Sequence, residues 1–273
     1  MIDYSTLPLG KQSAYCDHYA PALLVPVARK QTRDDFLANQ PLPFHGADYW
    51  TAYEISWLNS KGKPHVACGI FSYNALSPNI VESKSLKLYL NSLNQTQFNS
   101  IPELQKTIER DLTQCVQHPV AIELLSVNDS RLQTQIWPDM CLDDLDVAIT
   151  HYTPQANLLH TNSQQHKRES LVSHLLRSNC PVTGQPDWAS VRIAYQGAAI
   201  QHESLLHYIC SFRLHQGFHE QCIERMFCDI SEHCKPATLT IEGRFTRRGG
   251  LDINPFRSSE TNAPINSTRL ARQ

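Results

Sequence analysis

The sequence predicts an α+β protein of two loosely repeated units, each a strand–strand–helix–strand run. Three observations carry this. Trp50–Trp57 and Trp188–Tyr195 share an alternation of apolar and polar residues. Glu82-Ser83 and Glu203-Ser204 each open an apolar segment at a similar remove from Phe98 and Phe218. A helical stripe then follows in both halves, with apolar residues at steps of three and four.

Taken in order, residues 1 to about 48 hold Pro8, Pro21, Pro26, Pro41 and Pro43 and read as an extended arm. Tyr49–Leu58 reads as a strand, Asn59–Lys63 as its turn and His65–Tyr73 as the returning strand. Glu82 to Leu90 reads as a further strand, with Glu82, Lys84, Leu86, Leu88 and Leu90 on one face. Ser100-Ile101-Pro102-Glu103 is a helix start, and Ile101, Leu104, Ile108, Leu112, Cys115 and Val116 give its stripe. Val120–Val127 and Leu145–Tyr152 look like strands, and polar Gln155–Glu169 looks like a loop and a module boundary. Trp188–Tyr195, His207–Leu214 and Leu239–Phe245 read as strands, and Phe218 to Cys228 as a helix with Cys222, Ile223, Met226 and Phe227 inward. The tail after Phe256 is polar and expected to be loosely held.

Composition narrows the function. With 24 Lys and Arg against 26 Asp and Glu in 273 residues, the net charge of −2 argues against a nucleic-acid backbone as direct partner. No apolar run approaches the roughly 20 residues of a membrane span. The N-terminus lacks the charge and apolar pattern of a signal peptide, and the nine cysteines show no framework spacing. A cytoplasmic protein with reduced thiols is expected.

Four stretches carry chemistry. At Glu82-Ser83-Lys84-Ser85 a carboxylate and an ammonium stand at the mouth of an apolar face, where burial needs a partner. In Ser178-Asn179-Cys180-Pro181-Val182-Thr183-Gly184-Gln185-Pro186-Asp187, prolines and a glycine force irregular backbone around a thiol, at a place with little packing. Cys180 as nucleophile with Asp187 moving protons is one reading, and a chance surface thiol is the other. Cys68, Cys115, Cys210 and Cys222 read as core residues instead. Phe218-His219-Glu220 opens a helix, where Glu220 complements the dipole or accepts from an N–H-rich ring. Arg247-Arg248-Gly249-Gly250 suits a phosphate or a solvated turn. His207, Cys210, His215, His219, Cys222, Cys228, His233 and Cys234 crowd the second half but fit no zinc spacing, so no metal is expected.

Together these segments resemble the NADPH-dependent 7-cyano-7-deazaguanine reductases, the nitrile reductases of queuosine biosynthesis. The matching residues are Glu82-Ser83-Lys84-Ser85-Leu86-Lys87-Leu88-Tyr89, Ser178 to Trp188, Phe218-His219-Glu220 and Arg247 to Pro255, within a likeness that starts near Leu7. The resemblance is to the long, two-module form. It implies two tandem tunnelling-fold modules, antiparallel sheets with helices on one face, with residues 1–154 carrying the Glu82 signature and 155–273 carrying Cys180. It also implies a homodimer.

The resemblance further implies roles. Cys180 adds to the nitrile carbon, Asp187 protonates the nitrogen, and His219 donates a later proton. Val81, Glu82, Ser83, His219 and Glu220 hold the deazaguanine. Ser83, Lys84, Arg248 and Gly249 face NADPH, used twice per turnover, and Lys87 and Arg247 are further candidates for its phosphates. A cyclohydrolase-like hydrolase would need zinc ligands, and a non-catalytic pterin- or purine-binding module would have no use for Cys180.

Overall fold

The computed structural model describes residues 15–37, 40–264 and 269–273. Pro8 and the start of the family likeness at Leu7 lie outside these residues. The structure is a mixed α/β protein with antiparallel sheets and helices, in two compact units.

The first unit gathers the described residues of 1–32, 47–133 and 247–252. The proline-rich arm is not wholly extended: it holds β1 (Pro26–Ala28) and begins α1 (Arg29–Leu37), because no proline falls between Pro26 and Pro41. Strands β2 (His45–Leu58) and β3 (Pro64–Asn74) form the expected hairpin across the Asn59–Lys63 turn. After β4 (Asn79–Val81) comes a correction. Ser83–Asn91 is a helix, α2, and not a strand. Glu82 is its N-cap, its carboxylate accepting from the backbone N–H of Lys84 at 2.9 Å and Ser85 at 2.7 Å. Leu86, Tyr89 and Leu90 are the buried stripe, a helical spacing hidden inside the alternation of leucines. Helix α3 (Ile101–Val116) starts at the Ser100 N-cap, and β5 (Val120–Leu125) pairs with β3. The first residue of the predicted stripe, Ile101, is exposed, and the inward face is Leu104, Ile108, Leu112 and Val116.

The second unit gathers 33–46, 134–246 and the described residues of 253–273. Short strands β6 (Thr134–Gln135) and β7 (Met140–Cys141) precede β8 (Thr161–Ser173). Leu145–Tyr152 is irregular: half-buried and exposed residues alternate from Leu145 to Thr150, but no ladder forms among the described residues. The polar Gln155–Glu169 stretch is mostly β8, exposed from Asn162 to His166 and paired with β10. Strands β9 (Arg177–Asn179) and β10 (Pro186–Ile200) flank the cysteine turn. A second correction matches the first: His202–Ser211 is helix α4, not a strand. It leaves Cys210 half-buried, as Cys115 also is, while Cys68 and Cys222 are buried as expected. Helix α5 (His219–Cys234) lies against β11 (Thr238–Phe245), so closely that a Cβ on Gly243 would meet Ile223 at 2.8 Å. The described residues of the tail are held: after β12 (Leu251–Ser258), β13 (Arg269–Leu270) pairs with β6, Leu270 packs on Trp137 and Val172, and Gln273 bonds Asn254 at 2.6 Å.

The repetition is visible bond by bond. In the first unit Glu82 N–H donates to Val25 O, Val25 N–H to Ser85 Oγ, Ser85 Oγ to Glu82 O, and Tyr89 OH to Asp111. In the second, Gln201 N–H donates to His160 O, His160 N–H to Ser204 Oγ, Ser204 Oγ to Gln201 O, and Tyr208 OH to Asp229. Helices α3 and α5 both end on left-handed residues, Gln117 and Lys235. The partner of Glu82 is therefore Gln201, two residues before the Glu203 that the sequence pattern suggests.

Candidate functional site

In the second unit the sequence folds a thiol into a tight turn. Cys180 N–H donates to Gln185 O at 2.8 Å, and Gly184 N–H returns to Cys180 O at 3.0 Å. Gly184 has φ +68°, a left-handed geometry that favours glycine. The thiol is not a surface group: Cys180 is 0% exposed, and Thr183 N–H donates to its Sγ at 3.4 Å. The structure thus overturns the expectation of a loosely packed position, because the turn folds its side chain inward.

Ladder pairing brings the carboxylate alongside. Asp187 pairs with Ser178 across β9 and β10, two residues before Cys180. Asn179 N–H donates to His215 O at 2.7 Å and Gly217 N–H to Asn179 O at 3.1 Å, lacing the thiol turn to the segment that enters α5. That helix delivers His219, whose Nε2 lies 3.2 Å from Asp187 Oδ2. The His219 ring stacks on Phe245 at 3.8 Å and 3°. Asp187, His219 and Glu220 are all at least nine-tenths buried. Sequence reasoning missed Cys222 and Ser178 as neighbours. Burial, together with the charges of Asp187 and Glu220, pushes the Cys222 thiol up to about 12, while a hydrogen bond from Ser178 opposes this. Burial also lowers His215 to about 4, so this ring stays neutral.

The first unit holds the other candidates. Glu82 is fully buried and Val81 nearly so. Glu82 Oε1 lies 3.4 Å from Ser83 Oγ, so the capping geometry gathers Ser83 and Lys84 about one carboxylate. The Arg247–Gly250 turn is brought to the same helix: a Cβ on Gly249 would meet Lys87 Cδ at 3.1 Å, and one on Gly250 would meet Glu54 at 2.5 Å. Gly249 and Gly250 have φ of +61° and +76°, so the turn requires them. Lys87 is engaged by Glu54 at 3.3 Å, and Arg247 covers the Tyr53 ring at 4.5 Å.

The repetition shows what each unit lacks. In the first, Asn59 occupies the turn position of Cys180: its N–H donates to Lys63 O, and Gly62 N–H donates to its O. His65 there pairs with Trp57 as Asp187 pairs with Ser178. In the second, Gln201, His202 and Glu203 replace Glu82, Ser83 and Lys84.

A family model described as nitrile reductase, 7-cyano-7-deazaguanine-reductase N-term, matches residues 15–124, and one described as QueF-like protein matches 186–264. The NADPH-dependent 7-cyano-7-deazaguanine reductase of Dechloromonas aromatica (strain RCB) is 50% identical over 268 residues, covering 97% of this chain and 95% of its own. A crystal structure of the apo form of the archaeosine synthase QueF-Like aligns over 38% of this chain and 100% of its own, at 17% identity and a TM-score of 0.31.

Proposed function

Because the chain belongs to the NADPH-dependent 7-cyano-7-deazaguanine reductase family, an oxidoreductase family of nitrile reductases, we propose that it reduces the nitrile of 7-cyano-7-deazaguanine to the aminomethyl group through a covalent adduct on Cys180. Such a product suits queuosine biosynthesis. The observation that carries the mechanism is the grouping in the second unit of the buried Cys180 turn with the Asp187–His219 pair.

A nitrile carbon is a weak electrophile, and addition of sulfur makes it a better hydride acceptor. The Cys180 thiolate forms the C–S bond while Asp187 gives its proton to the nitrogen, yielding a thioimide. His219, stacked on Phe245 and 3.2 Å from Asp187, orients that carboxyl and supplies a proton in the second reduction. Bound NADPH would supply the hydride for both reductions. Between them the C–S bond breaks, its electron pair returns to Cys180, and burial keeps water from the imine.

Glu82, with Val81 and Ser83, and Glu220, with His219, each offer a carboxylate to the N–H edge of the ring. Glu82 already accepts two backbone N–H groups and the Ser83 hydroxyl, and its carboxylate keeps lone-pair capacity for a further donor. For NADPH, the cationic turn at Arg247-Arg248-Gly249, whose Gly249 lies against Lys87 of α2, fits phosphate groups, with Lys84 on the same helix as a further cation. The bond-by-bond repetition supports two tunnelling-fold modules, 1–154 and 155–273, and the homodimer of the long form completes the reading. No helix in the described residues is long and apolar enough to cross a membrane.

Incubation with the nitrile without NADPH, followed by intact-mass measurement, tests this. A wild-type protein heavier by one nitrile, beside a Cys180→Ala control that stays unmodified, is expected. An unmodified wild-type protein that still turns over would overturn the covalent route.

A further inference from the structure

Outside the residues assigned to the reaction, the second unit places three metal-ligating side chains together. Cys141, Asp143 and His174 each bring a ligand atom to within 4.8 Å of the other two. The ladder explains the meeting. Cys141 pairs in parallel with Val172, and Leu142 N–H donates to Val172 O at 2.9 Å, which sets Asp143 against Ser173 and His174. No local motif announces this, because His174 lies far along the chain from Cys141.

Three contacts fix the ligands from behind, as metal sites require. Ser173 Oγ donates to Asp143 Oδ1 at 2.6 Å, and His174 N–H donates to Asp143 Oδ2 at 2.9 Å. Ser190 Oγ lies 2.7 Å from His174 Nδ1, so ligation through Nε2 would keep that bond and fix the tautomer. As a plain loop cap, Asp143 would explain the serine and the backbone N–H but not the arrival of a thiol and an imidazole at the same point. A thiolate, a carboxylate and an imidazole together suit a borderline cation such as Zn2+.

We propose that Cys141 Sγ, one Asp143 oxygen and His174 Nε2 bind a zinc ion, with water completing a tetrahedron. Binding releases the Cys141 proton to solvent and ties the two-residue strand β7 to the end of β8.

Cobalt(II), titrated into the full chain, is the probe, since tetrahedral Co2+ is coloured and thiolate ligation adds a charge-transfer band. The Cys180→Ala background removes the thiol assigned to the reaction. One equivalent of Co2+ with a thiolate band, displaced by Zn2+, is expected. Cys141→Ser should abolish the band while the metal-free thermal midpoint stays as in the parent, since Cys141 is exposed. Ser190→Ala should weaken binding about tenfold through the imidazole. A thiolate band that survives Cys141→Ser, or a parent protein that takes no Co2+, overturns the proposal.

Discussion

Helices α2 and α4 share a scaffold and differ in what they offer a ligand. Both start after a residue whose N–H is held by the residue just before an earlier strand, and both bury a tyrosine that donates to an aspartate on the following helix at 2.7 Å. At the cap, however, Glu82 turns a carboxylate onto its own helix, while Gln201 makes no side-chain cap bond. The turns before them differ in the opposite sense. Cys180 is buried with its sulfur in the turn, whereas the Asn59 side chain caps its own turn through Lys61 and Lys63 N–H. Each unit has kept the supporting hydrogen bonds and only one of the two chemical halves. The shared bonds serve folding in both copies, and the groups assigned to the reaction are what differs between them.

Substitution at matched positions sharpens this contrast. The largest effect belongs to Cys180→Ala, which should remove adduct formation and lower turnover by roughly a thousandfold or more. Asn59→Ala should leave turnover intact and show only in thermal stability. Equal losses in the two variants would break the contrast. Next, Asp187→Asn should slow adduct formation by about a hundredfold to ten-thousandfold, with ring binding kept; His65→Asn, its counterpart, should do nothing to the adduct rate. Single-turnover mass kinetics measures both, and a wild-type rate in Asp187→Asn would leave the proton source elsewhere.

Exchanging the caps gives a smaller effect. Glu82→Gln installs the residue of the other copy and should weaken nitrile binding about tenfold to a hundredfold, as for loss of one charge-assisted hydrogen bond. Gln201→Glu should not change it. Binding titration with a melting curve separates a lost ring contact from a lost cap. Smallest in total rate is Arg248→Ala, which should weaken NADPH about tenfold and NADH little. An equal loss for both cofactors would mean that Arg248 does not read the 2′-phosphate.

The hairpin strands, α3, α5 and the apolar faces of β10 and β11 were legible because their periodicities have one interpretation each. The segments at Glu82 and His207 were not. Leucines at alternate positions satisfy a strand, yet Leu86, Tyr89 and Leu90 also satisfy a helix, and the cap at Glu82 decides between them. The repeat was legible but slipped by two residues, because Glu-Ser was matched where Ser-Leu and the tyrosine three residues further on carry the shared bonds. The grouping of Asp187 with His219 rests on ladder register and helix entry, which no local pattern contains.

The depth of Cys180 has a consequence for chemical labelling. A thiol at 0% exposure inside a hydrogen-bonded turn meets a bulky electrophile only when the turn opens. Exposed Cys141, in the metal-free protein, meets it at once. Reagents that rank cysteines by speed of modification would therefore put the thiol assigned to the reaction near the bottom, and a small linear nitrile carbon is the kind of electrophile such a position admits.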